Sequence, residues 1–133
     1  MPSLKAGEHL TVAGLQFDNR PAIVFVLQEN CHYCEESIPF YRGLLPKLDL
    51  QKIQPVFVLP QPEKDARTYL KERGLDVPPA VQFIQSNLAS IKVRGTPSVI
   101  LLSSNGTVQQ FWEGELNKDG QAAVESKSLF QGN

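Results

Sequence analysis

One stretch constrains this chain more than any other. From Ile23 to Glu36 it reads IVFVLQENCHYCEE. A mostly apolar run with β-branched members describes a buried strand, Cys31-His32-Tyr33-Cys34 follows at once, and a helical pattern then begins. The order strand, thiol pair, helix has a chemical consequence. Unpaired N–H groups and the dipole at a helix N-terminus stabilise a thiolate, and the thiolate is the nucleophile of disulfide exchange. Cys31 is therefore the candidate reactive sulfur. Cys34 lies one turn further along the same face, close enough to pair with it and more covered by the fold, and is the candidate resolving thiol.

The chain has 133 residues, 41% of them hydrophobic, enough for one good core, so a single domain over 1–133 with a loose lead-in at 1–8 is expected. Lys plus Arg number 13 against 14 for Asp plus Glu, a formal charge of −1 that offers nucleic acid no basic footprint. No run has the length of a membrane span, and the start, MPSLKAGEHL, lacks the layout of a secretory signal. An exported protein of this kind would have had its signal or membrane tether removed. Two cysteines three positions apart constrain little unfolded-chain entropy, so they read as chemical and not as a staple. No cofactor is called for.

Along the chain, residues 9–12 and 15–17 flank Ala13-Gly14 and suggest a short N-terminal hairpin at a sheet edge. Asp18 to Pro21 is a turn into the first central strand. From His32 to Leu45 the positions Cys34, Ile38, Tyr41 and Leu45 form one helical face, interrupted at Pro39, which should kink it. Residues 54–60, QPVFVLP, are a second strand, which implies a right-handed βαβ crossover, parallel pairing and cover on both sheet faces. Pro62 opens the next helix, Ala66, Tyr69 and Leu70 line its inner side, and Gly74 stops it. After Pro78-Pro79, the spacing of Val81, Ile84, Leu88 and Ile91 predicts an inserted helix. Residues 99–102 and 107–112 flank Asn105-Gly106 as an antiparallel hairpin, with a weakly amphipathic terminal helix over about 120–129.

This order, with Arg94-Gly95-Thr96-Pro97 feeding the hairpin, resembles the thioredoxin superfamily from about Pro21 to the C-terminus. The resemblance implies an α/β thioredoxin fold: a central mixed sheet of four or more strands with helices on both faces. The proline five residues after the second cysteine is matched by Pro39. The family's cis-proline opposite the thiols is matched by Pro97, whose preceding residue, Thr96, would pair with an extended substrate chain through its backbone. Within the superfamily, the Cys-His-Tyr-Cys pair, Gly-Thr-Pro and a short Ser-Asn-Gly-Thr turn look like the catalytic domains of bacterial periplasmic disulfide isomerases. The N-terminal dimerisation domain of those isomerases has no counterpart here, which counts against the isomerase role; a monomer is expected. The inserted helix and edge hairpin look similar to the membrane-tethered thiol-disulfide proteins of cytochrome c maturation. A periplasmic location follows by resemblance, with a reducing cytoplasm the other compartment that such a motif suits. Two positions depart from the family. Asn30 replaces the tryptophan before the first cysteine, and Phe25 replaces a buried acid that assists the resolving thiol, for which Glu29 is the nearest substitute.

Alternatives to redox chemistry are thinner. A zinc site would need two ligands beyond the cysteines, and only His9 and His32 exist. His32 either tunes the thiolate when protonated or is an exposed loop residue. Tyr33 packs against substrate or hydrogen-bonds to it. Phe57, Phe111 and Trp112 read as packing. Glu35 and Glu36 favour the helix dipole but oppose a nearby thiolate, and Arg94 would offset them if it faced the cleft. The function expected is a thiol-disulfide oxidoreductase, reductase or isomerase, acting on protein disulfides and recharged by a redox partner protein. The alternative is a peptide-binding module that uses Thr96 and Pro97 without turnover. A thiol peroxidase is disfavoured because Gln28-Glu29-Asn30 offers no hydroxyl.

Overall fold

A computed structural model describes residues 4–75 and 81–129. Five strands form one mixed sheet in the order β3-β2-β1-β4-β5. They are β1 (Ala22–Val26), β2 (Gln54–Leu59), β3 (Gln82–Gln85), β4 (Ser98–Leu102) and β5 (Val108–Glu113). Three helices accompany them: α1 (His32–Leu44), α2 (Glu63–Glu72) and α3 (Lys118–Leu129). This is the thioredoxin fold.

The central strands read as near-continuous apolar runs because both sides of the sheet are covered. Every residue of β1, β2 and β4 is buried. Alternation then sorts their side chains between two cores. Ile23, Phe25, Phe57, Leu59, Val99 and Leu101 meet the helices, while Val24, Val26, Val56, Val58, Ile100 and Leu102 fill the opposite side. Parallel crossovers β1-α1-β2 and β2-α2-β3 advance in the same direction across the sheet, and the right-handed rule therefore places both helices on one face. α1, α2 and α3 all contribute to that one core. Both faces are covered, but unequally. The second carries a 3-10 turn, Ala89–Ile91, and the N-terminal segment, through Leu4, Leu10, Val12, Leu15 and Phe17.

The inserted helix expected at 80–88 is not present in the described residues. Gln82–Gln85 is an edge strand parallel to β2, with Val56 opposite Gln82 and Leu59 opposite Gln85. Helix spacing of Val81, Ile84, Leu88 and Ile91 was shared between a strand and a 3-10 turn. What decided it was the free edge of β2, which binds a strand's backbone; Phe83 and Ile84 go to opposite cores as a strand requires. The expected start at Pro78-Pro79, and Ala80, fall outside the described residues.

The N-terminal hairpin also gives way to a different pairing. Residues 9–12 and 15–17 do not form strands with each other; His9 instead bridges Thr107. Gly7 N–H donates to Val108 O and Val108 N–H to Glu8 O, each at 2.7 Å. The open edge of β5 offers longer-range pairing than the two short runs offer each other. Leu4 is buried, while Lys5, Ala6 and Gly7 after it are exposed. Elsewhere α1 runs through exposed Pro39 to Leu44 and passes into a 3-10 turn at Leu45–Lys47. α2 starts after Pro62 and ends at Glu72 with Arg73 as its cap, just before Gly74, whose φ of +72° is the left-handed stop that glycine adopts freely.

Candidate functional site

The site is built where β1 hands over to α1. Past the strand, Asn30 takes a left-handed φ of +59°, a conformation Asn tolerates better than bulky residues, and so turns the chain into the helix. Cys31 follows as the N-cap residue, extended at φ −113° and ψ 108°. Its Sγ accepts a hydrogen bond from the Cys34 N–H at 3.1 Å, and its carbonyl accepts one from the Glu35 N–H at 3.1 Å. A side chain that accepts from a first-turn N–H occupies the place where the helix end favours negative charge.

Cys31 and Cys34 are joined in a disulfide with their Cα atoms 5.2 Å apart. Cys34 is wholly buried; Cys31 is partly exposed. Only the Cys31 sulfur is within reach of a sulfur from outside.

The loop before β4 closes over this pair from the other side. Thr96 lies 65 positions away in sequence, yet its Oγ1 donates to Cys31 Sγ at 3.3 Å, and its carbonyl oxygen is 3.5 Å from the same sulfur. The Thr96–Pro97 peptide is cis and Pro97 is buried. The Pro97 carbonyl accepts from the Gly114 N–H at 2.7 Å, and Ser98 Oγ donates to the Gly95 carbonyl at 2.8 Å, so the loop is anchored at both ends.

The remaining residues divide into outward and flanking groups. Tyr33 is 56% exposed, the most exposed large apolar side chain among those described, and its ring meets His32 edge-on at 5.1 Å. His32 pairs with Glu36 at 3.4 Å across one helical turn. Arg94 pairs with Glu113 at 3.4 Å and so does not serve the two acids of α1. Glu35 is met from α2 instead, by Arg73 Nε and by the Tyr69 hydroxyl, which donates at 3.1 Å. The Arg73 guanidinium also lies 3.6 Å over the Tyr69 ring. Burial, followed by the Glu35 charge, pushes the Tyr69 phenol up to about 12, with Arg73 pulling the other way. Nothing in the sequence marked Arg73, since 38 positions separate it from Glu35 and no local pattern joins them.

Phe25 stands where many thioredoxins bury an acid, stacked on Phe57 at 5.2 Å and edge-on to Tyr41 at 5.0 Å. Glu29, its nearest substitute, lines a cleft of about 430 Å³ beside α2 with Asn30, Tyr69 and Arg73. Among the described residues no three His, Cys, Asp or Glu side chains gather as metal ligands would.

Comparison with known proteins follows the same outline. A family model described as a thioredoxin-like domain matches residues 13–125. No curated protein sequence matches the chain. A thiol-disulfide isomerase from Corynebacterium glutamicum is 20% identical, with coverage of 98% of this chain and 97% of that one and a TM-score of 0.65. A Chlorobium tepidum protein proposed as thiol:disulfide interchange protein DsbE is also 20% identical, over 96% and 97%, at a TM-score of 0.72. A secreted Mycobacterium tuberculosis disulfide oxidoreductase homologous to E. coli DsbE is 14% identical over 87% and 84%, at 0.62. Likeness at this level of identity establishes a shared fold.

Proposed function

The chain belongs to the thioredoxin-like domain family, and from that premise we propose that it is a thiol-disulfide oxidoreductase, a reductase or isomerase of protein disulfides acting as a single domain. One observation carries the reading: a partly exposed sulfur at a helix N-cap, bonded to a sealed one, with the Thr96 hydroxyl 3.3 Å from the exposed sulfur.

In the reducing direction the Cys31 thiolate attacks one sulfur of a substrate disulfide. A Cys31–substrate bond forms, the substrate S–S bond breaks, and one substrate thiolate leaves. Cys34 then loses its proton and attacks Cys31 Sγ, expelling the second thiolate. The protein ends as the Cys31–Cys34 disulfide, and a dithiol partner protein returns the two electrons. The helix N-terminus and the Thr96 hydroxyl favour the anionic form of Cys31 in each step. Thr96 backbone pairs with the extended substrate chain, Pro97 holds that segment, and Tyr33 and His32 meet the substrate around the sulfur. An extracytoplasmic site of action, periplasmic in a cell with two membranes, is part of the proposal. It is supported by the compartment of the secreted Mycobacterium tuberculosis protein that shares the fold.

Cys34→Ser should accumulate a reductant-sensitive mixed disulfide with a disulfide-bearing protein substrate such as scrambled ribonuclease, and Cys31→Ser should form none. Turnover by the Cys31→Ser protein equal to that of the unaltered chain would end the proposal.

A further inference from the structure

Both acids in the first turns of α1 are answered by a partner, but by different means. Glu36 is met by His32 on the same helix. Glu35, four positions after Cys31 and bonded through its N–H to the Cys31 carbonyl, is answered from α2. Its carboxylate takes the Arg73 guanidinium and the Tyr69 hydroxyl together. Arg73 is fixed in turn by its stacking on the Tyr69 ring and by Nη1 donating to the Tyr69 carbonyl at 3.0 Å. Tyr69 itself is buried. The result is a cation held by a rigid ring and paired with Glu35, with the Glu72 carboxylate 4.0 Å from its Nη1.

We propose that Arg73 is a positioning residue for the redox centre, cancelling the Glu35 charge and so setting the thiolate stability and reduction potential of the Cys31/Cys34 couple. The inference rests on the redox reading above and deepens it. A carboxylate within a turn of the helix N-terminus raises the energy of an anion formed there, and an adjacent guanidinium removes most of that effect. Stabilising the thiolate favours the dithiol over the disulfide and makes the couple more oxidising; loss of Arg73 therefore makes it more reducing. Other ionisable groups on the elements around Cys31 are Glu29 ahead of it, His32, Tyr33 and Glu36 on α1, Lys64, Asp65 and Glu72 along the α2 cleft, and the Arg94–Glu113 pair beside Thr96.

The experiment is a cycle of variants on the intact chain: Arg73→Ala, Arg73→Lys, Glu35→Gln and Glu35→Gln/Arg73→Ala. Two readouts are taken on each, the pH dependence of Cys31 alkylation and the equilibrium with reduced and oxidised glutathione. In that equilibrium, protein disulfide plus two glutathione thiols gives protein dithiol plus glutathione disulfide. Arg73→Ala should shift the equilibrium about three-fold toward the protein disulfide, about 14 mV at 29.6 mV per tenfold, and raise the pH of half-maximal alkylation. Arg73→Lys should recover most of the shift, Glu35→Gln should move both readouts the opposite way, and the double variant should return near the unaltered protein. Unchanged readouts in a folded Arg73→Ala protein, or a shift that persists in the double variant, would overturn the inference. Should Arg73→Ala fail to fold, Glu35→Gln decides alone: no shift toward the dithiol refutes the charge cancellation. Failure of the redox reading looks different, since the unaltered couple would then not exchange with protein disulfides at all.

Discussion

At the scale of single residues, the site is a set of substitutions on a shared plan, and each has a physical cost. Phe25 puts an aromatic ring in contact with Phe57 and Tyr41. A ring at that position packs and has no proton to exchange with Cys34. Phe25→Ala should lower stability by about 3–5 kcal/mol, as loss of a fully buried ring does, read from the midpoint of urea unfolding. Tyr69 gives a pH dependence whose sign follows from its raised pKa. Its phenol ordinarily ionises near 10 and in the fold near 12. As pH rises, the unfolded chain gives up this proton first, so the contribution of Tyr69 is complete below its ordinary pKa and is lost progressively toward the raised one. Urea midpoints should therefore fall between about pH 10 and pH 12, and Tyr69→Phe should flatten that fall. Tyr41, also pushed upward by burial, adds to the slope with the same sign. Cys31 and Cys34 stood out in the sequence through their spacing after a strand, and Thr96 and Pro97 through the family resemblance. Arg73 was not, because its partner is on another helix.

Elements were legible in proportion to how local their determinants are. α1, with its N-terminus at the first cysteine, and α2, bracketed by Pro62 and Gly74, carry their own start and stop signals and appear where those signals lie. So does the β4-β5 hairpin, whose turn residues Ser103 to Thr107 include Gly106 at φ +89°. A Cβ there would meet His9 Nε2 at 3.1 Å and the Leu10 carbonyl at 3.3 Å, in a backbone conformation that disfavours side chains. Gly106→Ala should thus cost about 1–2 kcal/mol, measured by denaturant unfolding, with the site's thiol chemistry unchanged. β5 shows a subtler effect. Its pairing with β4 slips between Leu101 and Leu102, so Val108 and Phe111, an odd number apart, reach the same core. An extra residue in one strand reverses the alternation beyond it. β3 was misread for the complementary reason: four residues are too few to distinguish a strand from a helical turn by period alone, and its β2 partner decides.

For the molecule as a whole, the asymmetry of the two faces matters most. Three helices close one side, so the other depends on the 3-10 turn and on the N-terminal segment, which contributes Leu4, Leu10 and Val12 fully buried. At roughly 1.5–3 kcal/mol for each buried apolar side chain, these three are worth roughly 5–9 kcal/mol, comparable with the net stability of a small domain. Removing residues 1–17 should uncover Val24, Val56 and Ile100, produce strong binding of an apolar fluorescent dye, and abolish cooperative unfolding. A truncated chain that still unfolded in one sharp transition without dye binding would show that the sheet tolerates an open face.

The amino-acid order by itself determined the strand-thiol-helix unit, the second strand and the helix after it, the turn at Asn105-Gly106 and the pair of sulfurs at a helix start, since each depends on contacts a few residues apart. Only the tertiary structure decided that residues 82–85 are a strand, that the N-terminal segment seals one face, that Thr96 meets Cys31, and that Arg73 rather than Arg94 answers Glu35. Those outcomes depend on which edges and charges are left unpaired once the sheet has assembled, and no local stretch of chain contains that information.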